Sequence, residues 1–183
     1  PEAVIGDFDS ISAAGRAAIP LPAQHVISEQ DSTDFDKALR TLRAPLVIGV
    51  GFLGGRLDHT LAVLNVLTTR TATPCILVGE DDVVMAVPPR EDIALDLEPG
   101  LRVSLFPLAP VRGRSTGLRW PIDGLDMTPT GRIGTSNEAT RARVTLCFDR
   151  PGMVLLLPRH AFDTMLKACY AHWHPRTPPR DAL

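Results

Sequence analysis

The chain is poor in several residue types, and each shortage closes off a class of function. Lysine occurs only at Lys37 and Lys167, and no Gly-Lys-Ser or Gly-Lys-Thr appears in the 183 residues. A Walker A phosphate loop is therefore excluded, since that loop carries its lysine directly after a glycine. Cysteine is limited to Cys75, Cys147 and Cys169. They are odd in number and widely spaced, and two lie in apolar runs, a pattern that reads as reduced core thiols of a cytoplasmic protein and offers no Cys-x-x-Cys pair for zinc or thiol redox chemistry. Long apolar runs are also missing. The longest, such as residues 45–53 and 153–158, fall well short of the roughly 20 residues that cross a bilayer. Neither sign of charge dominates: 19 Lys and Arg against 21 Asp and Glu leave a formal net charge of -2. No overall field draws such a chain to nucleic acid or to an anionic membrane, and a small polar ligand is the natural partner. We expect no secretory signal, since no charged segment followed by an apolar stretch opens the chain. It begins at Pro1, almost directly in an apolar strand, and we expect sequence upstream.

What is present is enough for a buried core: 44% of the residues are hydrophobic and 22% charged. Two hydrophobic periods divide the chain. Up to residue 89, short continuous apolar runs at 3–5, 25–27, 46–50, 75–78 and 83–87 alternate with helical stretches. Phe35, Ala38, Leu39 and Leu42 mark one helix, and Leu57, Leu61, Leu64 and Leu67 a second. Such alternation predicts a mainly parallel, Rossmann-like α/β domain over residues 1–89. After Pro88 and Pro89 the period becomes two, as in Ile93, Leu95, Leu97 and in Val144, Leu146, Phe148, with Leu118, Trp120, Ile122 between them. Short strands at this spacing predict an antiparallel β-sandwich domain over 90–158. Residues 159–183 read as a helix followed by a loosely ordered, Pro- and Arg-rich tail, with His172 and His174 as exposed tail histidines.

Open α/β sheets bind ligands beyond the carboxyl ends of their strands, and three strand ends here are rich in acids. The first runs into Gly6-Asp7-Phe8-Asp9-Ser10, where two aspartates in an extended segment can aim at the same side. The second leads to Gln30-Asp31-Ser32-Thr33-Asp34-Phe35, and the third to Gly54-Gly55-Arg56-Leu57-Asp58-His59. Acids gathered at one sheet edge repel one another unless a cation sits among them, and an oxygen-only donor set favours magnesium, which characteristically bridges one or two carboxylates to phosphate oxygens. Arg56 adds a fixed positive fork for phosphate. Each motif also has a plain reading, in which Asp31, Thr33 and Asp36 cap a helix, Asp58 is a first-turn charge and Asp7 with Asp9 forms a polar turn.

Three other functions compete. Gly49-Val50-Gly51-Phe52-Leu53-Gly54 matches the dinucleotide fingerprint of an NAD-dependent oxidoreductase, with Glu80 after the next strand. Against it, Asp58 in the first helical turn repels a pyrophosphate laid on that helix. Asp7-Phe8-Asp9 also fits the DxD of a nucleotide-sugar glycosyltransferase. A nucleotide or vitamin sensor without turnover is the third.

Taken together, the three acidic motifs, followed by Gly117-Leu118-Arg119-Trp120-Pro121 and Gly134-Thr135-Ser136-Asn137-Glu138, resemble the ordered motif set of the thiamine pyrophosphokinase family. The resemblance spans about residues 4–157. It implies transfer of a diphosphate from ATP to the thiamine hydroxyl, in a homodimer whose active site lies between the α/β domain of one subunit and the β domain of the other. It further implies that Asp7, Asp9 and Asp34 hold Mg2+ and the triphosphate, that Ser10, Asp31, Thr33 and Gly55 contribute to the ATP site, and that Arg56 and Asp58 position phosphates and the thiamine hydroxyl. Trp120 would stack on the vitamin, whose cationic thiazolium suits an indole face, and Ser136 with Asn137 would hydrogen-bond its aminopyrimidine. Family members carry an earlier strand and an Asp-Gly-Gly segment that do not appear in this chain.

Overall fold

The computed structural model describes residues 1–173, so the Pro- and Arg-rich tail, His174 included, lies outside the described residues. The described residues form a mixed α/β protein with three sheets, and the chain divides into two compact units, Pro1–Arg43 and a larger one that begins at Ala44.

In the first unit, β1 (Val4–Gly6) and β2 (Gln24–Val26) pair in parallel, with Val4 opposite Gln24 and Gly6 opposite Val26. They are joined through the short helix α1 (Ala13–Ala17), which starts where the Ser12 hydroxyl accepts the Gly15 N–H at 3.0 Å. The helix α2 (Asp34–Thr41) follows, capped by the Thr33 hydroxyl, which accepts the Asp36 N–H at 3.2 Å. Phe35 and Leu39 of α2 are buried as their spacing predicts. Leu42 already has extended geometry and ends the helix, three residues before a proline that could not continue it.

The second unit opens with a parallel β-α-β crossover: β3 (Val47–Val50), α3 (Leu57–Thr69) and β4 (Cys75–Val78). Next, β5 (Asp82–Ala86) runs antiparallel to β4. The connection is too short for a crossover, and the Gly79 N–H closes it on the Asp82 carbonyl at 2.8 Å. There follow β6 (Ile93–Asp96), β7 (Arg102–Pro107), β8 (Val111–Thr116), β9 (Asp126–Met127), β10 (Gly134–Glu138), β11 (Arg143–Phe148), β12 (Met153–Pro158) and the helix α4 (Phe162–Trp173). One sheet has the order β10-β7-β12-β5-β4-β3 and the other β6-β11-β8-β9. Strands from both sides of Pro88-Pro89 therefore share the larger sheet. The change of period at residue 89 is thus not a break in the sheet.

A single core cluster draws on both of these sheets. Met85, Leu105, Leu155 and Leu157 from the larger one meet Ile93, Leu95, Leu146 and Phe148 from the smaller, every one of them at most 1% exposed. In β6 the alternation of Ile93 and Leu95 with Ala94 and Asp96 is the alternation of a buried and a more exposed face, whereas β5, β7 and β12 carry consecutive buried residues. In α3 the buried face differs from the expected stripe. Leu57 is 71% and Leu61 54% exposed, whereas Val63, Val66 and Leu67 are buried. Apolar and polar residues are mixed around most of the helix, so periodicity alone does not single out the packed face.

Candidate active site

The first acidic motif leaves β1 through an abrupt turn. Phe8 has a φ of 66°, a left-handed conformation that bulky residues rarely adopt. Asp7 and Asp9 are therefore not two positions of an extended strand, as the sequence suggested. The chain folds back, so that the Asp9 N–H donates to Asp7 Oδ1 at 3.2 Å. The second motif arrives at the same place. Asp34, at the start of α2, accepts the Asp7 N–H on Oδ1 at 3.3 Å, although the two residues lie 27 apart in the chain. Gly6 is what allows this approach, because a Cβ there would stand 2.8 Å from Asp34 Oδ1.

Between these carboxylates sits a residue that the motif reading passed over. Lys37 is fully buried, and its ammonium donates to Asp7 Oδ2 at 3.2 Å and to Asp34 Oδ1 at 3.3 Å. The Asp7 side chain is 14% exposed and that of Asp34 54%. Gln30 Nε2 also reaches Asp7 Oδ2, at 3.4 Å. The Asp9 N–H first, and then the Lys37 ammonium, hold the Asp7 carboxyl below the ordinary aspartate range. Burial works against the charge on Lys37, but its bonds to Asp7 and Asp34 outweigh that and hold its pKa above the ordinary lysine value. The available signal was the three-residue spacing from Asp34, which puts Lys37 on the same helical face.

The loop before α2 is organised by Glu29, a second residue missed from sequence. Its carboxylate accepts the N–H groups of Asp31 and Ser32 at 2.9 and 3.1 Å, together with the Ser32 hydroxyl and the Arg40 guanidinium. Ser32 first, then the Asp31 N–H and Arg40, hold it below the ordinary glutamate range. Asp9, Ser10 and Asp31 are exposed. Thr33 serves as the helix cap already described.

In the second unit, Gly55 (φ 65°) leads into α3, with Arg56 at the N-cap position. The Arg56 guanidinium grips Asp58 with two bonds, Nε to Oδ1 at 3.2 Å and Nη2 to Oδ2 at 2.7 Å. Asp58 Oδ1 also accepts the His59 N–H at 3.0 Å. Arg56 above all lowers the Asp58 pKa to about 2.

The third constellation is also in the second unit. Trp120 is 55% exposed while Leu118 and Ile122 beside it are buried, so this is not a core tryptophan on an alternating strand. The buried Asn137 amide holds its backbone: Oδ1 accepts the Trp120 N–H at 3.2 Å, and Nδ2 donates to the Trp120 carbonyl at 2.7 Å. The same oxygen accepts the Glu138 N–H at 2.8 Å. Asn137 is thereby largely spent on positioning the indole. Arg119 lies with its guanidinium carbon 5.1 Å from the ring centroid. Ser136 is exposed, with a φ of 59°, at an irregularity in the pairing of β10 with β7, and its N–H donates to Ser104 Oγ at 3.0 Å. Irregularities of this kind re-aim a side chain out of the ladder.

Among the described residues no three His, Cys, Asp or Glu side chains form a ready metal cage. Two adjoining carboxylates nevertheless match what magnesium requires of a protein, since it keeps several waters and takes its remaining ligands from phosphate. Among the described residues no helix is long and apolar enough to cross a membrane.

The family model described as thiamin pyrophosphokinase, catalytic domain, matches residues 1–77, and the one described as thiamin pyrophosphokinase, vitamin B1 binding domain, matches residues 90–152. Thiamine pyrophosphokinase 1 of Arabidopsis thaliana is 28% identical over 163 residues, covering 80% of this chain and 61% of the plant protein. Thiamin pyrophosphokinase 1 of Caenorhabditis elegans is 29% identical over 166 residues, covering 80% and 65%. The chain thus spans less than two thirds of the length of these relatives. The crystal structure of thiamine pyrophosphokinase from Bacillus subtilis superposes with a TM-score of 0.67 at 26% identity, covering 86% of this chain and 78% of the other. With both domain models matched in order along one polypeptide, the chain belongs to the thiamin pyrophosphokinase family.

Proposed function

We propose that the protein transfers a diphosphate group from ATP to the hydroxyl of thiamine, giving thiamine diphosphate and AMP. The observation that carries this reading is the meeting of two distant acidic motifs, Asp7 and Asp34, on one buried ammonium. Phosphoryl transfer chemistry depends mainly on positioning and on neutralising charge, and adjoining carboxylates held by a buried ammonium are suited to both.

In this reading Mg2+ is held by Asp7, Asp9 and Asp34, where it would neutralise charge on the transferring diphosphate. Ser10, Asp31, Thr33 and Gly55 contribute to the ATP site. Arg56 offers phosphates a planar donor fork. Asp58 and Asp7 are the two acceptors for the hydroxyl proton. Both are held as carboxylates by their partners, and Asp58 becomes the stronger base once Arg56 turns to phosphate. Trp120 stacks on the thiazolium, Ser136 hydrogen-bonds the aminopyrimidine, and Asn137 keeps the indole in place. The segment 1–89 supplies the ATP-binding residues and the segment 90–158 the vitamin-binding residues, with strands of both in one sheet, in a cytoplasmic homodimer with its active sites between subunits. The dinucleotide alternative is disfavoured by the ionised Asp58 in the first turn of α3, which opposes a pyrophosphate at that helix terminus.

The deciding experiment incubates the protein with ATP, Mg2+ and thiamine and separates the products. AMP and thiamine diphosphate are expected. ADP would indicate ordinary kinase chemistry, and an absence of products with retained ligand binding would indicate a sensor.

A further inference from the structure

Lys37 is the most deeply buried charge among the described residues, at 0% exposure, and its ammonium donates to both aspartates of the acidic centre. Burying an ammonium is costly unless it is paired and hydrogen-bonded. A methionine or leucine on the same face of α2 would fill the space without that cost, but would leave Asp7 and Asp34 as two adjoining carboxylates with no counter-charge. Like charges at such range drive each other apart or take up a proton. The ammonium prevents both.

We propose that Lys37 is a positioning residue that acts through Asp7 and Asp34. It holds the two carboxylates together when no divalent ion is present, and it weakens their grip on a bare ion by competing for the same oxygens. The site is then preorganised yet not saturated by free cation, so the ion is bound tightly only together with the triphosphate that it bridges. This inference rests on the proposed metal-phosphate role of Asp7 and Asp34, and extends it to a residue outside the acidic motifs.

The chain's lysine content makes the test direct. Lys37 and Lys167 are the only two lysines, and Lys167 is exposed on α4. In 15N-lysine NMR of the whole protein, the Lys37 ammonium should exchange slowly with water and shift on addition of Mg2+ with ATP, while Lys167→Arg identifies the other signal. A Lys37 signal that does not respond to saturating Mg2+ and ATP overturns the proposal. In a second arm, Lys37→Met should bind Mn2+ alone about tenfold more tightly by electron paramagnetic resonance, as expected when a like charge a few Å away is removed, and should turn over more slowly. Unchanged or weaker Mn2+ binding by a folded Lys37→Met also overturns it. Should that variant fail to fold, the NMR arm on the wild-type side chain decides. If the NMR and Mn2+ results hold but no AMP is formed, the proposed reaction fails and the role of Lys37 stands. If AMP is formed but Mn2+ binding ignores Lys37, the reverse is true.

Discussion

At the scale of single residues, the ion pair of Arg56 with Asp58 has a defined pH signature. Asp58 is lowered from 3.8 to about 2, so its carboxylate favours the folded state above pH 3.8, and this contribution is lost as the pH falls through that interval to about 2. Both side chains are about two-thirds or more exposed, at 71% and 66%, so the effect on stability is small and screened by salt. Arg56→Gln should return the Asp58 pKa toward 3.8, measured by carboxyl NMR titration, and an unmoved value would show that the pair does not form in solution. Around the exposed indole, Trp120→Ala should raise the KM for thiamine far more than that for ATP. Equal effects on both would remove Trp120 from the vitamin site. Asn137→Ala leaves the Trp120 backbone without its two partners and should cost about 1–3 kcal/mol of stability, read by denaturant titration. It should also raise the thiamine KM, because the indole is no longer held.

At the scale of elements, α2 links sequence to site most directly. Its N-terminus is set by Thr33; Phe35 and Leu39 are buried on one side and Lys37 is buried on the other, so the cap that starts the helix also places Asp34 and Lys37. Thr33→Ala should cost about 1 kcal/mol, with Thr33→Ser recovering most of it in chemical denaturation. Gly6→Ala tests the approach of β1 to α2. The added methyl meets the Asp34 carboxylate, so turnover should fall sharply while far-UV circular dichroism stays close to wild type. Full activity would show that Asp34 need not lie against β1.

At the scale of the molecule, the six-stranded sheet joins segments on both sides of Pro88-Pro89. β12 lies between β5 and β7, with Leu155 opposite Met85 on one side and Leu105 on the other. The second unit should therefore unfold as one cooperative body. Leu155→Ala should destabilise it by about 2–5 kcal/mol and shift the Trp fluorescence and far-UV transitions together. Separate transitions for the segments before and after residue 89 would contradict a shared core.

How much of this was legible beforehand follows from what each signal depends on. The strands β6 and β11, the cap at Thr33 and the acidic strand ends could be read directly, because alternation, capping chemistry and charge are local properties of neighbouring residues, whereas the strand expected through Leu118, Trp120 and Ile122 is only an isolated bridge at Leu118. The partner of β5, the packed face of α3, the turn at Phe8 and the burial of Lys37 were not legible. Each depends on residues far away in the chain: β12 for the sheet, the shared core for the helix, and the approach of Asp34 to Asp7 for the lysine. A lysine beside two aspartates on paper is a surface charge. Only the closure of β1 onto α2 removes it from water and makes it the counter-ion of the site.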